Sequence, residues 1–97
     1  MVSPVLVARL KLQFFLPGCS SLKQKRFVLN SLKARLRNKF NVALCETDFQ
    51  DKWQRSELGL VTIASSRRGL DKAIQSIMLF LEKERRAVLV DSEKEII

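Results

Sequence analysis

At Pro17-Gly18 the spacing of apolar residues changes from two to between three and four. Before that point Leu6, Ala8, Leu10, Leu12, Phe14 and Leu16 alternate with Val7, Arg9, Lys11, Gln13 and Phe15, which predicts a strand over Val5 to Leu16 with one buried face. Beyond it, Leu22, Val28, Leu29, Leu32, Leu36 and Phe40 fall within about 120° of arc when each residue advances about 100°, which predicts a helix over Ser20 to Asn41. A strand with one apolar face that leads into a helix with one apolar stripe must fold the second onto the first. Ser21 with Gln24 three residues later marks the helix start as a capping box, each residue satisfying an unpaired amide of the other.

The rest of the chain supplies the missing layers. Val42 to Thr47 resumes an extended pattern, and Leu58 to Ala64 is short, apolar and β-branched at Val61, Thr62 and Ile63, the composition of a central strand. Between them Asp48 to Glu57 is polar apart from Phe49 and Trp53, and either loops or prolongs both strands into an arm. Ser65 or Ser66 caps a second helix, on which Leu70, Ala73, Ile74, Ile77 and Leu81 share a face. Ala87 to Asp91 is a fourth strand, and the tail SEKEII ends in two isoleucines that must pack on the sheet or on a partner. The order β-α-β-β-α-β predicts an α+β, ferredoxin-like fold: a four-stranded antiparallel sheet with two helices on one face and the first and third strands central. At 97 residues the chain is expected to form a single domain over 1–97 with a core that needs neither disulfide nor metal.

Charge is unevenly placed. Residues 1–45 hold nine Lys or Arg and no acid, whereas residues 46–97 hold nine against ten acids, so the excess of +8 belongs to the N-terminal half. Seven of those cations (Lys23, Lys25, Arg26, Lys33, Arg35, Arg37 and Lys39) lie on the first helix. Three sit in its first turn, against the helix dipole, and the like-charged pairs Lys33 with Arg37 and Arg35 with Lys39 each oppose the helix by about 0.2–0.5 kcal/mol. Lys23, Arg26, Asn30, Lys33 and Arg37 follow one another at spacings of three or four, a straight polar row. Two readings compete for it: a surface for a polyanion, or a solvated face that keeps the protein in solution.

Several chemistries are disfavoured. Histidine is absent, which removes the commonest general base and metal ligand. Cys19 and Cys45 read as isolated thiols, and Glu46, Asp48 and Asp51 lack the loop spacing of a calcium site. The expectation is a protein that is not an enzyme and has no metal site and no cofactor. No run approaches the ~18 apolar residues of a membrane span, and no export signal is evident, so a cytoplasmic protein without membrane contact is expected.

The runs LPGCSSLKQKR and RLRNKFNVALCETDFQDKWQRSELG, with the closing EKEII, together resemble the YlxP-like family of small bacterial proteins. The resemblance covers nearly the whole chain and implies a ferredoxin-like fold and a cytoplasmic location. It also implies a connection with RNA or the ribosome, because genes of the family tend to lie beside those for transcription elongation, translation initiation and ribosome maturation. This chain departs from the family pattern at Phe49, where a histidine is common, and at Gln24, where an acid is usual.

The leading expectation is a module that contacts RNA or a ribonucleoprotein through the first helix, with Lys23, Lys25, Arg26, Lys33 and Arg37 on phosphates. Trp53 and Arg55 form either a base-stacking corner or an interface. The loop Pro17 to Ser21 is a second candidate, for a phosphorylated ligand at the helix start. The alternative is a homodimer or larger homo-oligomer built from an edge strand, the Trp53 arm and the Ile96-Ile97 tail, with the basic face only solubilising.

Overall fold

The computed structural model describes residues 4–97; Met1 to Ser3 of the expected 1–97 span lie outside the described residues. The elements run β1 (Leu6–Phe15), α1 (Leu22–Lys39), β2 (Val42–Asp48), β3 (Arg55–Ala64), α2 (Arg67–Glu82) and β4 (Val88–Ile96). They form one antiparallel sheet in the order β2-β3-β1-β4, the ferredoxin-like arrangement with β1 and β3 central. Alternation in β1 has the expected consequence: Ala8, Leu10, Leu12, Phe14 and Leu16 are buried beneath the helices. Facing them are Val28, Leu29, Leu32 and Leu36 of α1 and Leu70, Ile74, Ile77 and Leu81 of α2. Leu22, expected on the core stripe, is 40% exposed, because it lies at the margin of that stripe in a first turn with no helix before it to cover it.

Both helices start at serine caps. Ser21 Oγ accepts the Gln24 amide at 3.1 Å, and Ser66 Oγ accepts the Gly69 amide at 3.0 Å, each satisfying a donor that helix geometry leaves free. The return bond of the expected capping box is displaced by one residue, since Gln24 Oε1 accepts the Ser20 amide rather than that of Ser21.

At the strand ends one open alternative is decided and one expectation is revised. Of the two readings of Asp48 to Glu57, each contains a part of the outcome: the strands lengthen only to Asp48 on one side and Arg55 on the other, and the residues between them form the hairpin loop. The fourth strand does not stop at Asp91 but continues to Ile96. The acidic tail is a strand because β1 supplies its partners: Glu95 pairs with Arg9 as an ion pair, and Glu93 stands opposite Lys11. Opposite charges facing each other across strands stabilise a sheet that composition alone does not announce. Of the two terminal isoleucines, Ile96 packs against the core, while Ile97 donates its amide to the Val7 carbonyl at 2.8 Å and leaves its side chain 65% exposed.

This topology collects five segments at one end of the molecule. The C-terminal end of β1, the loop Pro17 to Ser21, the start of α1, the β2–β3 hairpin loop and the α2–β4 turn all lie there. The starts of β1, β2 and α2 lie at the opposite end.

Candidate nucleic-acid interface

The seven cations of α1 do not share one fate. Lys25 is fully buried: it lies three, four and seven residues before Val28, Leu29 and Leu32, and so projects from the core side of the helix. Its ammonium sits 3.2 Å from Glu46 Oε2 and also donates to the Phe49 carbonyl. The same carboxylate accepts Arg26 at 3.1 Å and Ser56 Oγ at 2.8 Å. Lys25 is therefore an internal tie between α1 and the hairpin, and the expectation that it meets a phosphate is corrected. A lysine desolvated this completely needs a carboxylate beside it, and Glu46 is that partner.

Arg35 pairs with Glu84 of the α2–β4 turn, and Lys39 lies over the rings of Phe40 and Phe80. Burial by itself would raise the Glu84 carboxyl, but hydrogen bonds from the Arg35 side chain and the Arg86 amide, together with their charges, outweigh it and hold the group below the usual carboxylate range. Of the remaining expected contacts, Lys23 and Lys33 make no ion pair among the described residues, and Arg37 donates only to the Leu44 carbonyl at 3.3 Å. Arg26 and Arg37 reach the edge strand β2, at Glu46 and at the Leu44 carbonyl, and Lys23 and Lys33 stand in the same row of α1 at helical spacing. With Lys25 beneath them, these five cations form ion pairs with one acid among the described residues, Glu46.

Trp53 and Arg55, expected as one corner, line one shallow depression with Asp51, Lys52 and Gln54. Trp53 is 53% exposed at the tip of the hairpin. The Arg55 guanidinium lies 4.5 Å from the ring centroid of Phe49 and leans toward Gln13, a cation–π contact that holds it on the hairpin's own aromatic. Phe49 adopts a left-handed backbone, φ 62°, which is uncommon for an aromatic residue. The turn persists because the Phe49 carbonyl accepts both Lys25 Nζ and the Lys52 amide, and its own amide bonds Asp48. The hairpin tip is tied in turn to the loop after β1: Gln54 accepts the Leu16 amide at 2.9 Å and donates to the Cys19 carbonyl at 3.1 Å.

A cavity of about 560 Å³ lies beside that loop, lined by Pro17, Gly18, Cys19, Lys23, Gln24, Phe27, Val28, Arg85 and Arg86. Sequence reasoning named Lys23 and the loop but missed Phe27, Arg85 and Arg86. Phe27 is 70% exposed, and a phenylalanine outside the apolar stripe was the signal that could have found it. The two arginines are brought in by the α2–β4 turn, which only the fold places beside α1.

The open face of the sheet is of mixed charge. Arg9, Lys11 and Arg55 share it with Glu57, Asp91, Glu93 and Glu95. At its centre Glu57 accepts Thr47 Oγ1 at 2.7 Å and Gln13 Nε2 at 3.1 Å. The Thr47 bond above all, then the Gln13 bond, lower its carboxyl from the ordinary value against the cost of desolvation, and Lys11 adds to the effect. No group of three or more potential metal-ligating side chains occurs among the described residues, and none of the described helices is long and apolar enough to cross a membrane. Cys19 is buried and Cys45 exposed, both as free thiols.

Comparison with known proteins gives a family and is silent on ligands. The uncharacterized protein YlxP of Bacillus subtilis (strain 168) is 42% identical over 62 residues, which cover 64% of this chain and 67% of that protein. Residues 7–94 match the family described as "Protein of unknown function (DUF503)", and with so much of its length matched the chain belongs to the DUF503 family.

Proposed function

We propose that this protein is a non-enzymatic module that binds single-stranded RNA in a cytoplasmic ribosomal or ribonucleoprotein setting, through the β2-facing side of α1 and the adjoining end of the fold. The observation that carries this reading is the imbalance on that side, where Lys23, Lys25, Arg26, Lys33 and Arg37 face one acid, Glu46. Lys25 contributes by occupying Glu46, so that a net charge of about four remains for an outside partner. Trp53, exposed at the same end, adds a ring on which an unpaired base can stack. The mixed charge of the open sheet face favours the helix side over the sheet as the RNA surface.

Fluorescence anisotropy with a labelled single-stranded RNA across a salt series tests this. Four neutralised phosphates predict a log-log slope of about −2.8, at roughly −0.7 per contact. Replacing Lys23, Lys33 and Arg37 with Gln should flatten it to about −0.7. Absence of binding at low salt, or a slope that the triple replacement leaves unchanged, would refute the assignment.

A second reading, self-association, is favoured by exposed apolar side chains on the open face: Phe15, Ile63, Val88 and Val90 are 41%, 48%, 39% and 55% exposed. It would use the sheet face rather than the Ile96-Ile97 tail, since Ile96 is already committed to the core. Light scattering at micromolar concentration decides it, with a monomer excluding this reading and leaving the first intact.

A further inference from the structure

We propose that the cavity beside Phe27 is a receptor for one unstacked nucleobase, with the adjoining phosphates held by Lys23 and Arg85; this deepens the RNA reading and rests on it. The volume, about 560 Å³, falls within the roughly 300–1,000 Å³ of small-ligand sites. Its walls are mostly apolar, and its charged members, Lys23, Arg85 and Arg86, are all cationic. Lys23 and Arg85 make no ion pair among the described residues. Arg86 is fixed on the wall, with one guanidinium nitrogen 3.3 Å from Ser31 Oγ and another 3.9 Å from Glu84.

Phe27 is the most exposed ring among the described residues, at 70%, and differs from Phe40, Phe49 and Phe80 in its lack of company. Phe40 and Phe80 pack edge to face and share Lys39, and Phe49 carries Arg55. Among the described residues no ring or cation lies against Phe27, which leaves its face available for stacking. Across the Pro17–Cys19 segment, on a hairpin tied to it through Gln54, stands another exposed ring, Trp53. A strand that crosses this end of the molecule meets aromatic, cations and aromatic in succession.

An acidic peptide is the other occupant with matching charge, and the geometry disfavours it. The cavity is walled by a helix and two loops, so no sheet edge is present to pair with an extended backbone. Nor is there room for the anchors of a docked helix, which recur over two turns.

The test is a two-dimensional NMR titration of the full chain with adenosine 5′-monophosphate, with inorganic phosphate alone and with a ten-nucleotide single-stranded RNA, for the wild type and Phe27→Ala. Because Phe27 is exposed, Phe27→Ala is expected to fold, and its spectrum reports whether it does. The proposal predicts that the mononucleotide shifts amides of residues 18–19, 23–28 and 85–86, that phosphate does not reproduce those shifts, and that Phe27→Ala weakens mononucleotide and RNA binding roughly 5-fold or more, as loss of one stacked base requires. If the RNA binds with its salt dependence intact while the mononucleotide leaves these amides unmoved and Phe27→Ala binds RNA as the wild type does, the receptor is overturned and the RNA reading stands. If phosphate alone reproduces the shifts, or an acidic peptide bearing one phenylalanine produces them and the mononucleotide does not, the receptor is likewise overturned. If the RNA does not bind at all, both readings fall.

Discussion

Replacing Glu46 with Gln removes the one acid that Lys25, Arg26 and Ser56 share. Lys25 is fully buried and the Glu46 side chain is 6% exposed, so the variant leaves an ammonium in the interior with only neutral oxygens around it. Breaking one partner of a buried pair costs about 3–5 kcal/mol, and retention of an amide oxygen by Gln places the value near the lower end. Arg26 is half exposed and adds under about 1 kcal/mol. At roughly 4–8 °C per kcal/mol for a domain of this size, a loss of about 3 kcal/mol lowers the melting temperature by about 12–24 °C at pH 7. Lys25→Met should cost less, about 1–2 kcal/mol, because Glu46 keeps Arg26 and Ser56 while the Phe49 carbonyl keeps the Lys52 amide. The decisive sample is the double variant, predicted to be more stable than Glu46→Gln alone because it no longer buries an unpaired charge. Thermal unfolding followed by circular dichroism measures all three. Simple additivity of the two losses, or a fall of under about 4 °C for Glu46→Gln, would refute the argument.

Other consequences are simpler to state. Glu57 and Glu84 have carboxyls held below their ordinary value of 4.5 in the folded state, so their contribution is present above that pH and is lost as pH falls through the lowered folded values. Denaturant midpoints should accordingly be flat from pH 7 to about 5 and decline below about 4.5, less steeply in Thr47→Val, which lacks the bond that lowers Glu57 most. A Cβ at Gly59 would stand 2.9 Å from Thr47 Cγ2, so Gly59→Ala should destabilise by about 1–3 kcal/mol in the same assay. Adding Thr47→Ser removes that methyl, keeps the hydroxyl for Glu57 and should restore most of the loss.

How much of this was legible in the sequence depends on the range of the interaction concerned. Alternation in β1 and the stripe on α1 are local patterns that name most of their buried residues correctly, because a period of two or 3.6 translates directly into a face. Leu22 fails because periodicity says nothing about where a helix end stands relative to the sheet. The strand from Asp91 to Ile96 fails for a long-range reason: its residues read as a polar tail until Arg9 and Lys11 are set opposite Glu95 and Glu93. Lys25 shows how charge counting misleads, since its spacing from Val28, Leu29 and Leu32 already put it on the core side, outside the row of Lys23, Arg26, Lys33 and Arg37. Its partner lies 21 positions away and comes within reach only when β2 packs beside α1. The cavity at Phe27 was half visible, as an apolar residue with no place on the stripe, whereas Arg85 and Arg86 arrive from the other end of the chain.

The central claim is that positive charge along the β2-facing side of α1 and at the adjoining end of the fold, rather than positive charge in general, attracts RNA. Because α1 has 18 residues and spans about 27 Å, the two ends are separated by several times the roughly 8 Å Debye length of physiological salt, so charge removed from one is screened from the other. The most direct measurement compares RNA affinity at physiological salt for two charge-matched double variants, Lys23→Gln with Arg85→Gln at the α1 start and Arg68→Gln with Lys72→Gln at the α2 start. The account predicts a loss of about 10-fold or more for the first, each phosphate contact being worth several-fold at this salt, and less than about 2-fold for the second. Equal losses in both, or none in the first, would contradict it.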